Sequence, residues 1–157
     1  MSTPLASRTV RPKEFSFPVA VEWLGGRRVL ACVHGKPEVT VSPPPVFRGT
    51  DAHAWSPEEF FVAAAATCLA VTVTGLAERR AVDLASLHVA GVGVVGRRDD
   101  GRFGFTSVRL DLRVAVGPGD LDAAAALARE AEEQCLVSAS FALPVEVDVD
   151  VRAAGGD

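Results

Sequence analysis

Residues 56–71 read SPEEFFVAAAATCLAV, and they predict the helix at the centre of the fold. Ser56 is a favoured helix N-cap, Pro57 suits the first helical position, and Glu59 completes the spacing of a capping box. We expect the helix to run to about Arg80. Because its side chains are apolar almost all round, it must be enclosed on nearly every side. One small domain does this with difficulty, so a partner subunit is expected to help.

Strand patterns lie on both sides of this helix. Before it, residues 15–23 alternate up to a hairpin turn at Gly25-Gly26, residues 28–33 return, and residues 38–41 form a third strand. After it come strands over 87–95 and 103–116, joined by an Asp100-Gly101 turn, then a helix from Gly119 or Asp120 to Cys135 and a strand over 145–151. This order predicts a single α+β domain over residues 15–151, with tails at 1–14 and 152–157.

Composition excludes several classes of function. The 157 residues are 48% hydrophobic with a formal charge of -4, which gives a sizeable core but no basic footprint for nucleic acid. Three cysteines are too few for the disulfide framework of a secreted scaffold. The first residues lack the regions of a signal peptide, and threonines interrupt the long apolar run. We therefore expect a cytoplasmic protein that does not enter a membrane.

Two of the three cysteines are candidates for thiol chemistry. A cysteine in an apolar helix is most often inert core, which is the interpretation given to Cys32 in its strand. Cys68 lies within the central helix, and Cys135 ends the second helix, where a side chain moves more readily than in mid-helix. Such mobility suits a resolving thiol, which must approach a sulfenic acid to form a disulfide.

A glutamate and two arginines accompany the cysteines. Glu58 precedes Cys68 by ten residues, a rise of about 15 Å on one helix. A cysteine beside Glu58 would therefore come from a second subunit; alternatively, Glu58 only favours the helix dipole. A cation that stabilises a thiolate makes the thiol nucleophilic. Arg48 or Arg27 could pair with Glu58 in fixed geometry, or either could be an ordinary surface arginine.

Two other kinds of site are weakly supported. The three histidines show no ligand spacing with one another or with a Cys-x-x-Cys pair, which is absent. The glycines Gly91, Gly93 and Gly96 have the spacing of a dinucleotide fingerprint, but they lie in a strand pattern with no helix after it. We expect instead a bulged strand that passes close to the central helix.

Two segments together resemble the OsmC/Ohr family, the osmotically induced protein C and organic hydroperoxide resistance proteins. Residues 56–68 resemble its first-cysteine helix, and residues 132–140, EEQCLVSAS, followed by Pro144-Val145-Glu146-Val147, resemble its second-cysteine segment. The resemblance covers residues 15–151. It implies antiparallel sheets wrapped around a long buried central helix, in an intertwined homodimer with two sites at the subunit interface.

The resemblance also implies a reaction. It is thiol-dependent reduction of organic hydroperoxides, and of hydrogen peroxide as a further candidate substrate. No cofactor is bound, and an external dithiol, for which a lipoyl protein is one candidate, restores the thiols. By position, Cys68 is similar to the peroxidatic cysteine and Cys135 to the resolving one, while Glu58 matches the glutamate that orients an arginine. Arg48 matches the OsmC-type arginine and Arg27 the Ohr-type one, with Arg48 slightly favoured.

Three details qualify this expectation. Leu136 stands where the family commonly has proline. Apolar walls from Phe60, Phe61, Leu69 and Phe141 are expected to favour organic peroxides. The alternatives to a peroxidase are a redox sensor or a binder of a hydrophobic small molecule with the same fold, and then a purely structural dimer.

Overall fold

The computed structural model describes residues 13–155, which fall into two compact units that divide between Ala54 and Trp55. Of the predicted N-terminal tail, residues 1–12 lie outside the described residues, and residues 13 and 14 have no regular structure. Each unit contains one three-stranded sheet. The two sheets account for all six predicted strands.

The N-terminal unit is an antiparallel sheet with the strand order β1-β2-β3. Its strands are β1 Ala20–Gly25, β2 Arg28–Cys32 and β3 Val39–Val41. The predicted hairpin turn is confirmed, since Gly25 and Gly26 have positive φ angles of 103° and 58°. The strand predicted from residue 15 begins only at Ala20, because Ala20 pairs with Cys32, the last residue of β2. A short turn at Pro45–Phe47 follows the sheet.

The C-terminal unit places one long helix and two shorter ones against a second sheet. Its elements are α1 Pro57–Arg80, β4 Leu84–Arg97, β5 Phe103–Val116, α2 Leu121–Gln134, α3 Leu136–Ala139 and β6 Val145–Ala153. The strand order is β4-β5-β6, and the predicted mixture of helix and sheet is confirmed.

One pairing corrects the expectation of antiparallel sheets. The strands β4 and β5 form an antiparallel hairpin, but β5 and β6 are parallel, with Val108 opposite Val145 and Val116 opposite Ala153. The chain between them passes through α2 and α3, and such a helical crossover returns the chain in its original direction. The strand β6 also continues into the predicted C-terminal tail, because Arg152 and Ala153 still pair with β5.

The start of α1 follows from its capping box. The Ser56 hydroxyl accepts a hydrogen bond from the Glu59 backbone N–H at 3.1 Å, and the Glu59 carboxylate accepts one from the Ser56 backbone N–H at 2.7 Å. The helix ends where Ala81 adopts a left-handed conformation with φ 53°. Both predicted ends of the helix are confirmed.

Only one face of α1 is covered within its own unit. The buried residues recur at helical spacing: Ala65, Leu69, Val73, Leu76 and Ala77. They pack against α2 and the inner row of β5, where Val108, Leu110, Leu112, Val114 and Val116 are all buried. On the opposite face, Val71 is 69% exposed. One sheet and two helices can cover only one side, so the expected enclosure on nearly every side is not reached within this unit.

Among the helices of residues 13–155, α1 alone is long and apolar enough to cross a membrane by length and composition. Within the C-terminal unit it contacts β4, α2 and α3. An ion pair between Arg80 and Glu130 also joins its C-terminal end to α2. These contacts make α1 the helix around which this unit packs.

Two glycines bring β4 against α1. A Cβ atom on Gly91 would lie 2.8 Å from Val62 Cγ1, and one on Gly93 would lie 2.6 Å from both Val62 Cγ2 and Phe105 Cε1. No side chain fits in that space. The predicted close approach of strand and helix is therefore confirmed, and the strand has two register shifts, one between Leu84 and Ser86 and one between Val94 and Val95.

Candidate active site

Cys135 occupies the break between α2 and α3. Its backbone is extended, with φ -67° and ψ 100°, so it ends one helix and caps the next. Its carbonyl accepts a hydrogen bond from the Ala139 N–H at 3.0 Å, which closes the first turn of α3. The residue is only 1% exposed. The prediction that Cys135 ends the second helix is confirmed, but its side chain lies in the core.

The backbone around Cys135 also shows how the chain accommodates Leu136 at the position where the family commonly has proline. Leu136 is 74% exposed and occupies the first position of α3, where proline's missing N–H and fixed φ are tolerated. Its predecessor Cys135 is already close to the extended conformation that a following proline requires. We expect Leu136→Pro to leave the free energy of unfolding unchanged or to raise it by up to about 1 kcal/mol. Urea denaturation of the purified variant measures the difference.

Ala139→Pro is the control for that substitution. Ala139 is also exposed and lies on the same short helix, but its N–H donates to the Cys135 carbonyl. Proline there is expected to destabilise the protein by about 3 kcal/mol. Equal losses of stability in the two variants would contradict an extended Cys135 followed by Leu136 at the first position of α3.

The closest polar neighbour of the Cys135 sulfur is Ser138, a residue to which the sequence assigned no role. The Ser138 Oγ lies 3.1 Å from Cys135 Sγ. Both residues line a cavity of about 520 Å³, together with Leu69 of α1, the charged residues Arg129, Glu132 and Glu133 of α2, Ala139 of α3, and Pro144, Val145 and Val147 on the β6 side. The spacing could have revealed this contact, because a side chain three residues into a helix points back towards the cap residue.

Cys68 lies on α1, whose buried face belongs to the same hydrophobic core. It is half-buried and packs against the buried cluster to which Cys135 belongs. Its neighbour Leu69 is fully buried and lines the Cys135 cavity. Both cysteines are free thiols. The two cysteines, which are far apart in sequence, thus both contact the single hydrophobic core of this unit.

Glu58 lies elsewhere on α1, in the first turn. It lines a cavity of about 460 Å³ with Val62, Gly91 and Gly93 among its walls. One carboxylate oxygen, Oε2, is buried and has no hydrogen-bond partner among residues 13–155. An unsatisfied buried acceptor costs about 1–3 kcal/mol, and more if it is charged. A donor or cation that approaches this oxygen would remove that cost.

The two candidate arginines both belong to the N-terminal unit, where they are held near each other. Arg27 extends from the β1–β2 turn and donates from Nη1 to the Phe47 carbonyl at 2.6 Å. Arg48 is the next residue after Phe47 and adopts a left-handed backbone conformation with φ 63°. This conformation is rare for residues other than glycine and is enriched at functional sites.

The aromatic residues divide into two groups. Phe61 is stacked between Phe105 and Phe141, with ring centroids 4.2 and 4.0 Å away. Phe60 instead pairs with Trp55 at 5.3 Å. Successive helix residues point about 100° apart, so Phe60 and Phe61 do not share a wall. Phe105 was not among the predicted wall residues, because simple alternation places it out of phase with the buried row that begins at Val108; a register shift between Val94 and Val95 changes the phase of the strand at this point.

Cys32 has the features of an inert thiol. It is half-buried in β2, and its sulfur lies 3.8 Å from Glu38 Oε1. Burial, followed by the charges of Glu38 and Glu22, raises the pKa of the Cys32 thiol. Because the thiolate is the reactive form, a raised pKa leaves a smaller reactive fraction at every pH below it.

We therefore expect Cys32 to be alkylated by iodoacetamide more slowly than a free cysteine at neutral pH. The rate should increase only as the pH rises above the ordinary range of cysteine. Peptide mass spectrometry measures the labelling, and Glu38→Gln should accelerate it by removing a negative charge. A rate equal to that of free cysteine, and unchanged in Glu38→Gln, would contradict the raised pKa.

No group of three or more histidine, cysteine, aspartate or glutamate side chains in residues 13–155 is arranged to hold a metal ion. The Cys135 thiol and the Ser138 hydroxyl line one cavity and the Glu58 carboxylate lines the other, while Cys68 lies among the partly buried residues beside the core and lines neither cavity. Such a set can carry nucleophilic sulfur chemistry.

A family model described as OsmC-like protein matches residues 49–150, which include Glu58 and both candidate cysteines. The chain belongs to the OsmC-like protein family. Family membership relates it to organic hydroperoxide resistance. No curated protein matched the chain.

Solved structures share the OsmC-like fold at low sequence identity. An OsmC-like protein of unknown function from Vibrio cholerae is 20% identical with a TM-score of 0.78, over 87% of this chain and 99% of that one. An organic hydroperoxide resistance protein from Elizabethkingia anophelis is 19% identical with a TM-score of 0.72, over 91% and 99%. The organic hydroperoxide resistance protein OhrB of Bacillus subtilis is 21% identical with a TM-score of 0.62, over 87% and 98%.

Proposed function

We propose that this OsmC-like protein is a cysteine-based hydroperoxide reductase that acts in the cytoplasm on organic hydroperoxides. The observation that carries the proposal is the presence of Cys68 and Cys135 in one hydrophobic cluster. Cys32, whose thiol has a raised pKa, takes no part in the proposed reaction. The apolar surroundings favour peroxides with a hydrocarbon group over hydrogen peroxide.

The reaction proceeds in three steps. The Cys68 thiolate attacks the distal peroxide oxygen, so that a sulfur–oxygen bond forms, the oxygen–oxygen bond breaks, and the leaving alkoxide takes a proton to become an alcohol. The Cys135 thiolate then attacks the Cys68 sulfenic acid, which forms a disulfide and releases water. An external dithiol reduces the disulfide by exchange and leaves as its own disulfide. A lipoyl protein is one candidate for this reductant.

Glu58 and an arginine complete the proposed site across a homodimer interface. On its own α1, Glu58 lies about 15 Å of helical rise from Cys68, so it would serve the cysteine of a second copy. The unpartnered Glu58 oxygen fits a role in orienting a guanidinium, which would stabilise the thiolate. The uncovered face of α1, with Val71 exposed, supports the dimer, which sedimentation equilibrium tests directly.

The N-terminal unit gives further support for association. Apolar side chains recur at every second position on one side of its first segment and are more than half exposed: Phe15, Phe17, Val19, Val21 and Trp23. Exposed apolar surface of this kind marks interaction sites. A monomer at all protein concentrations would exclude a shared site.

Substitution of the two arginines distinguishes their roles. We expect Arg48→Ala to slow the oxidation of Cys68 by about ten-fold or more near neutral pH, because the loss of a neighbouring cation makes a thiolate less favourable. Arg27→Ala is the matched control and should have a smaller effect. Stopped-flow measurement of thiol loss under single-turnover conditions gives both rates. The reverse order would assign the role to Arg27.

Consumption of cumene hydroperoxide by the purified protein with excess dithiothreitol tests the whole proposal. A peroxidase consumes many equivalents per protomer. A redox sensor of the same fold is favoured by one observation, the 1% exposure of Cys135, which could slow the formation of a disulfide. A sensor would oxidise once and stop, and a binder of a hydrophobic small molecule would leave the peroxide unchanged.

A further inference from the structure

We propose that Ser138 is a positioning residue for Cys135, an inference that rests on the peroxidase function proposed above. Its hydroxyl donates a hydrogen bond to the Cys135 sulfur when that sulfur carries negative charge. The charge arises twice in the cycle. Cys135 is the attacking thiolate when the disulfide forms, and it is the leaving thiolate when the external dithiol attacks Cys68.

The geometry holds the hydroxyl at the sulfur. The Ser138 Oγ is 3.1 Å from Cys135 Sγ, within hydrogen-bonding distance for sulfur. The backbone of α3 fixes this arrangement, since the Cys135 carbonyl accepts from Ala139 at 3.0 Å and the Ser138 carbonyl accepts from Phe141 at 3.2 Å. Phe141 is in turn stacked on Phe61 of α1. The serine is therefore anchored on both sides.

The surroundings of Cys135 explain why a hydrogen-bond donor is needed to stabilise a thiolate there. Cys135 is 1% exposed and belongs to the buried apolar cluster, so water provides almost no solvation for a thiolate there. The charged residues that line the cavity come from α2, where Arg129 is positive and Glu132 and Glu133 are negative. The wall contributed by α1 is Leu69, and the β6 wall is Val145 and Val147. The donor that lies within hydrogen-bonding distance of the sulfur is the Ser138 hydroxyl.

The expected effect of removing the Ser138 hydroxyl follows from the strength of its hydrogen bond to the Cys135 sulfur. A hydrogen bond to a charged group contributes about 1.5–3 kcal/mol, which corresponds to about ten-fold to a hundred-fold in rate. We therefore expect Ser138→Ala to slow the formation of the Cys68–Cys135 disulfide by at least about ten-fold near neutral pH. The first oxidation of Cys68 should be unchanged, since that step does not involve Cys135.

The experiment separates the two steps by stopped-flow mixing with cumene hydroperoxide. Trapping with dimedone reports the sulfenic acid, and loss of the second thiol reports the disulfide, both measured across a range of pH. In Ser138→Ala the second step is expected to slow and its rate–pH curve to move to higher pH. Ser140→Ala is the control, because Ser140 caps the end of the same short helix and its hydroxyl donates to the Leu136 carbonyl at 2.8 Å.

Two further variants keep the test decisive if alanine destabilises α3. Ser138→Thr and Ser138→Val have nearly the same shape, but only threonine has a hydroxyl. Threonine should retain the wild-type pH profile and valine should not. Identical profiles for threonine and valine would overturn the inference. Failure of the wild-type protein to form any peroxide-dependent sulfenic acid would instead overturn the proposed function, so the two failures are distinguishable.

Discussion

Replacement of Cys68 by serine is expected to abolish the turnover of organic hydroperoxide. A serine hydroxyl at neutral pH is a poor nucleophile without an adjacent base, whereas a thiolate attacks peroxide oxygen readily. Loss of a covalent nucleophile removes most of the catalysis, so the rate should fall on the order of 10³-fold or more, to the uncatalysed level. Consumption of cumene hydroperoxide with excess dithiothreitol measures the change.

The other two cysteines provide matched controls for that substitution. Cys135→Ser should still consume about one equivalent of peroxide per protomer and then stop, because the sulfenic acid on Cys68 forms but is not resolved. Cys32→Ser should retain full activity, since that thiol lies in the N-terminal sheet with a raised pKa. An unchanged steady-state rate of peroxide consumption in Cys68→Ser would contradict the proposed mechanism.

Gly93→Ala is expected to lower the stability of the protein and its activity together. The added methyl group would lie 2.6 Å from both Val62 and Phe105. Neither neighbour can move easily, because Val62 is β-branched on a helix and Phe105 is stacked on Phe61. Overpacking of this kind costs about 1–3 kcal/mol. Thermal unfolding followed by circular dichroism gives the loss.

Gly96→Ala is the matched control on the same strand. Its added methyl group would lie 3.6 Å from the nearest atom, Thr106 Cγ2, which is an ordinary contact. We expect its stability to equal or slightly exceed that of the wild type. Since Gly93 also lines the Glu58 cavity, Gly93→Ala should slow peroxide consumption as well as lower stability. Equal melting temperatures for the two variants would contradict the close packing of β4 on α1.

Local signals in the sequence were sufficient to predict much of the fold. The Ser56 cap and Glu59 specify where α1 begins, because their hydrogen bonds involve only neighbouring residues. The Asp100-Gly101 turn specifies the β4–β5 hairpin for the same reason. Cys135 was singled out from its position at a helix end and Glu58 from its spacing to Cys68, and the structure places each beside a cavity.

Features that depend on distant contacts were not predictable from local patterns. Alternation over residues 145–151 indicates a strand but carries no information on its direction, so the parallel pairing of β6 was missed. The hydrophobicity of α1 shows that it is buried somewhere, but not that its own unit covers only one face.

The parallel arrangement of β5 and β6 has a consequence for how the chain folds. The β4–β5 hairpin can form its pairs one after another from the turn. The strand β6 can pair with β5 only after the α2–α3 crossover has brought the two strands together. Contacts between residues far apart in sequence form slowly, because the entropy of loop closure is lost before they stabilise anything. Val145 and Val147 of β6 line the cavity around Cys135. We therefore expect the surroundings of the Cys135 thiol to form late in folding, after the crossover has closed.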